Sequence, residues 1–153
     1  MQAYSLLALQ GFQVVVLLLH DWVPVPPLND VRAARKGHSV QAMILGTALS
    51  SVFPVIGLVL TLVSTTSGWP KWLPAYLLAT YGLLFAGELQ AWWIPYLLRP
   101  EPKRAAQYEE MYGKTHAFLP VRNGIRVNTL HFALHAATLA TLVTVLSGFI
   151  HRT

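Results

Sequence analysis

Four apolar stretches alternate with polar ones along the chain, at roughly 3–20, 40–63, 75–98 and 128–150. Crossing the hydrocarbon layer of a bilayer takes ~20 consecutive apolar residues, and each stretch is close to that. The pattern predicts an all-α, polytopic membrane protein, a bundle of four transmembrane helices that forms a single domain over residues 1–153.

The polar segments carry their own signals. Pro24, Pro26 and Pro27 cannot continue a helix and end the first span. Asn29 or Asp30 is placed to cap a short helix ahead of the second. Between the second and third spans, Trp69 and Trp72 flank a tight turn, where amphipathic rings favour the membrane interface. In the last and longest loop, Tyr108, Met111 and Tyr112 form an apolar edge opposite Gln107, Glu109, Glu110 and Lys114, which predicts a helix lying on the membrane surface. Asn123-Gly124 then reads as a turn, and Asn128 as the cap of span four.

Composition agrees with the pattern. Of 153 residues, 54% are hydrophobic and 11% charged, against about 25% charged in soluble domains. The chain has no cysteine, which excludes disulfides, thiolate catalysis and Cys-ligated zinc or iron–sulfur clusters. The first residues lack a basic region ahead of the apolar run, so that run is expected to stay as a span rather than be cleaved as a signal.

The net charge of +5 would suggest nucleic acid in a soluble protein, but here its distribution matters more. Arg32, Arg35, Lys36, Arg99, Lys103, Arg104, Lys114, Arg122 and Arg126 all fall in the two longer loops, whereas Lys71 and Arg152 fall on the other side. By the positive-inside rule both basic loops are cytoplasmic, and the two termini lie outside an inner (plasma) membrane. Anionic lipid headgroups, not nucleic acid, are then the expected partner of the basic loops. His151, at the outer terminus, is expected to be solvated.

Three ionisable residues fall inside the spans: Glu88, His131 and His135. A charged group there costs at least ~2.5–3.5 kcal/mol, so a functional role is the default expectation. Asn128, His131, His135 and Thr138 share one face of span four at helical spacing. His131 and His135 lie ~5–10 Å below the inner surface on a rise of 1.5 Å per residue, and Glu88 lies ~15 Å along its own helix from Arg99. His20 and His38 border the same level from spans one and two. The expected site opens inward, toward the cytoplasm.

Histidines at i and i+4 can hold one metal ion, and His131-Phe-Ala-Leu-His135 is the ligand half of such a signature. With His20 as third ligand, the set would bind a divalent metal and leave a position open. Glu88 and Asp21 are then the candidate catalytic carboxylates. His38, His116, Arg122, Arg126 and Asn128 are candidates for the entrance or for holding a lipid headgroup. The resulting expectation is a small membrane enzyme acting on a lipid-soluble substrate. Haem held by histidines of spans one and four is an alternative. So is a proton- or cation-coupled carrier, although four spans make a thin wall unless the chain forms a homo-oligomer. In a structural membrane subunit the polar groups would only specify helix pairing.

Overall fold

A computed structural model describes residues 2–36 and 38–150, so His151 and Arg152 lie outside the described residues. The elements, in order, are α1 (Gln2–Leu19), α2 (Val31–Lys36), α3 (Val40–Ser67), α4 (Leu73–Glu88), a π-helical turn (Leu89–Trp93), α5 (Ile94–Leu97), α6 (Pro102–Tyr112) and α7 (Thr129–Ile150). The all-helical expectation holds. The third apolar stretch is one continuous rod, but its middle is a widened π turn rather than regular α-helix.

The four long helices close into a ring in which α1 touches α3 and α7, and α4 touches α3 and α7. Neighbours run antiparallel. The Trp22 indole, just past the end of α1, bonds to Thr47 near the start of α3. Leu6 near the start of α1 packs with Leu73 and Leu77 at the start of α4 and with Val145 near the end of α7. One end of the bundle therefore carries both basic loops, and the other carries the Trp69 turn.

The interior mixes apolar and polar side chains, and much of the surface is apolar. Gln10, Gln13, Thr61, Asn128, Thr138 and Thr141 are fully buried, while Val15, Leu45, Leu49, Leu62, Leu83 and Val143 are exposed. Contiguous exposed apolar surface of this kind is unusual for a protein meeting water on all sides. α3 and the Thr129–Gly148 part of α7 are each long and apolar enough to cross a membrane.

The basic loops follow their local chemistry. Asp30 Oδ1 accepts from Ala33 N at 3.0 Å and so caps α2. Asn29 instead laces the proline turn, donating to the His20 and Val23 carbonyls and accepting from Val25 N. Asn123 (φ 52°) and Gly124 (φ 75°) form the expected two-residue turn, closed by paired backbone bonds between Arg122 and Ile125. Helix α6 is the helix expected in the last loop, and none of its residues is fully buried. It lies over the basic end of the bundle, with Tyr108 and Tyr112 packed in a cluster around Trp92, Tyr96, Ile125 and Val127.

Candidate functional site

All four long helices wall a cavity of about 840 Å³ toward the basic end. His20 and Asp21 contribute from beyond the end of α1, Glu88 and Trp92 from the third rod, and His131 and His135 from α7. Its remaining wall is mostly apolar, including Leu17, Leu84 and Leu134. Gly46 and Gly87 line it with open space where a side chain would stand.

Hydrogen bonds determine which nitrogen of each imidazole carries a proton. Asn128 caps α7, its Oδ1 accepting from His131 N at 2.9 Å while its Nδ2 donates to the Leu28 carbonyl. That oxygen also faces His131 Nδ1 at 2.7 Å, so Nδ1 must be the donor. A neutral His131 therefore presents a bare Nε2. His135 is the opposite case. Its Nδ1 accepts from the Trp93 indole at 3.1 Å, and because an indole only donates, the proton of a neutral His135 sits on Nε2. The two rings, with centroids 6.1 Å apart, thus offer one base and one acid. His20 donates Nδ1 to the Val16 carbonyl at 2.9 Å and turns Nε2 toward Asp21 Oδ1 at 3.3 Å, a contact that attracts only with a proton between them.

Glu88 is buried, at 7% exposed. Its Oε1 meets the Thr138 hydroxyl at 2.8 Å, and that hydroxyl lies 3.0 Å from Gln13 Oε1. Gln13 in turn donates to Thr141 at 2.8 Å. A hydroxyl has one proton and cannot serve both oxygens at once. If the carboxyl is protonated, it can donate to Thr138, whose own proton is then free for Gln13 Oε1 or for the Leu134 carbonyl, 3.0 Å away. If it is ionised, Gln13 Oε1 loses its donor. The Oε2 atom has no hydrogen-bond partner among the described residues.

The π turn explains how two consecutive tryptophans both reach α7. Widening one turn rotates the residues after it relative to those before, so Trp92 lies against His131 with centroids 4.4 Å apart while Trp93 bonds to His135. Pro95, lacking an N–H, supplies no helical donor to the π turn before it, and the Ala91 carbonyl is met from outside the rod. Arg104 and the Tyr108 hydroxyl, both from α6, bond to that carbonyl at 3.0 and 3.1 Å, and Arg104 also reaches the Gln90 carbonyl. Tyr112 completes the cover, its ring 5.1 Å from His131. Burial, reinforced by the nearby Asp21, raises the Tyr112 phenol above its ordinary pKa.

Tyr112 of α6 touches His131, but no residue of α6 lines the cavity. The rim includes Leu49, Phe53 and Leu83, which are exposed on the flanks of α3 and α4. Among the expected entrance residues, only Asn128 takes part, as a positioning group. His38 is exposed, faces the Ala34 carbonyl and does not line the cavity. His116 joins the two basic loops, bonding through its backbone to Pro27 and Thr129. Arg122 donates to the Leu97 carbonyl, and Arg126 forms a loose 4.0 Å pair with Glu109.

The bonds also bear on a metal. A neutral His135 has no lone pair free, since one nitrogen accepts from Trp93 and the other carries the proton. The Nε2 of His20 is turned to Asp21. His20, His131 and His135 thus meet but do not compose a ligand set, and among the described residues no group of three His, Asp or Glu is placed to hold a metal ion. Haem does not fit between His20 and His131 either. Their rings touch edge to face with centroids 5.5 Å apart, leaving no slot for a flat macrocycle.

Trp93, Pro95, Arg104 and Tyr108 carried no functional reading in the sequence. Pro95, four residues after Ala91 on a helix already marked by Glu88, was the one available signal. No protein-family model matches the chain, and no curated protein or solved structure is significantly similar to it.

Proposed function

We propose that the chain is a four-span membrane enzyme that relocates a proton within a lipid-soluble substrate. α1 and the rod from Leu73 to Leu97 join α3 and α7 as spans, and the basic loops face the cytoplasm across the inner (plasma) membrane. Exposed apolar residues on all four helices support this arrangement.

The reading is carried by one observation: the cavity combines a rim of lipid-compatible side chains with a floor holding an unprotonated and a protonated imidazole nitrogen beside a carboxyl. A substrate dissolved in the bilayer would arrive sideways, between α3 and α4, without crossing the α6 cover. His131 Nε2 takes a proton from one atom of the substrate, Glu88 returns one to another atom while His135 Nε2–H donates a hydrogen bond, and the proton gained by His131 then passes back to Glu88. Proton count and electron count are conserved, the product is an isomer, and no co-substrate is consumed. Acid–base groups so placed contribute typically ~10²–10⁴-fold each to rate. Glu88 and the two imidazoles touch the substrate, Asp21 holds His20, and Asn128 and Trp93 set the protonation pattern of His131 and His135.

The test is isotopic. Protein reconstituted in vesicles of host-membrane lipid extract and incubated in D₂O is expected to place deuterium on carbon of one lipid species, read by mass spectrometry. Glu88→Gln and His131→Ala should abolish that label. Gly87→Leu, which sends a side chain into open cavity space, should abolish it while the fold is retained. No label above that of empty vesicles would end the proposal.

A further inference from the structure

Beyond Glu88, toward the Trp69 end, the bundle interior holds polar atoms that the pocket chemistry does not use. Gln10, Thr61 and Tyr81 are each 0% exposed, and both side-chain polar atoms of Gln10, the Thr61 hydroxyl and the Tyr81 hydroxyl have no hydrogen-bond partner in good geometry among the described residues. The Gln10 amide and the Tyr81 hydroxyl lie within reach of each other, and one bond between them still leaves the other polar atom of Gln10 and the Thr61 hydroxyl unmet. Leaving such groups bare costs about 1–3 kcal/mol each. Native interiors offset that cost with buried water, which typically makes about three hydrogen bonds.

These groups are connected in space. Gln10 is three residues from Gln13, on the same face of α1, and Gln13 is bonded to Thr138, which is bonded to Glu88. Gly57, one helical turn before Thr61 on α3, packs against the edge of the Tyr81 ring. Ser64, buried and three residues beyond Thr61, continues the same face toward the end of α3. On the other side of Glu88 stand His135, His131, His20 and Asp21. Polar groups therefore follow one another from the basic end to the Trp69 end.

We propose that Gln10, Tyr81 and Thr61 hold a file of water molecules that carries protons between Glu88 and the outer face. Each water bridges polar atoms that no protein group meets in good geometry, and the Thr138–Gln13 pair passes the proton to Glu88 by rotation of one hydroxyl. This rests on the four-span reading but not on the identity of the substrate.

The protein is reconstituted in sealed vesicles loaded with a pH-sensitive dye. Resistance to alkaline extraction first establishes insertion, so failure of the four-span reading is seen separately. A potassium diffusion potential is then applied with valinomycin. The expected result is proton entry faster than in empty vesicles, reduced to the empty-vesicle rate in Thr61→Val and in Gln10→Leu. Thr61→Ser, which keeps the hydroxyl, should retain the flux and guards against loss of fold in the other variants. Inserted protein with no flux above empty vesicles would overturn the proposal, as would flux unchanged in both apolar variants.

Discussion

The two ends of the bundle handle buried polarity in opposite ways. At the basic end Asn128, His131, His135 and Thr138 each have named partners, and those partners set orientation and protonation. At the Trp69 end Tyr81 packs with Leu6, Leu73, Leu77 and Val145, and polar atoms of Gln10, Thr61 and Tyr81 are unmatched among the described residues. Partnered groups are matched to a particular geometry, and removing one strands its neighbour. Unmatched groups add nothing to folding through their polar atoms, so their presence calls for another use.

The contrast can be broken most sharply at Asn128. Asn128→Ala removes the cap of α7, the acceptor for His131 and the tie to Leu28, and is expected to lower stability by about 2–4 kcal/mol from the cap and the stranded donors together. Thermal unfolding in detergent checks it, and a loss no larger than that of an exposed-site substitution would show that the basic end is not so specified.

A smaller effect is expected at Trp93. Trp93→Phe keeps the packing against Phe132 but removes the donor to His135 Nδ1, which should cost about 1 kcal/mol. It should also free His135 to carry its proton on either nitrogen. Nitrogen-15 NMR of labelled histidine reads that change directly, and an unaltered tautomer would remove the assigned role of the indole.

The smallest effect belongs to the other end. Gln10→Leu deletes only unmatched atoms at nearly constant volume and should leave stability unchanged or slightly raised. A loss comparable to that of Asn128→Ala would erase the distinction between the two ends.

Much of the architecture was legible beforehand because it depends on local chemistry. Apolar runs of bilayer length, the Pro24–Pro27 exit, the Asp30 cap and the Asn123-Gly124 turn need no distant partner. Within the site, the stripe of Asn128, His131, His135 and Thr138 follows from helical spacing, as does the depth of Glu88. The roles within that stripe did not. Two imidazoles four residues apart suggested metal ligands, and only the approach of Trp93 from another helix gave His135 a proton on the wrong nitrogen.

The amino-acid sequence by itself determined that the chain is helical, apolar and marked by a few ionisable groups along known faces, because the 3.6-residue period and the avoidance of stranded backbone groups act within each segment. Tertiary structure alone decided that α6 covers the basic end, that the cavity is rimmed by exposed residues of α3 and α4, and that polar atoms of Gln10, Tyr81 and Thr61 are unmatched among the described residues. Those features depend on which side chains from distant segments come within about 3 Å of one another, a matter of how the helices pack.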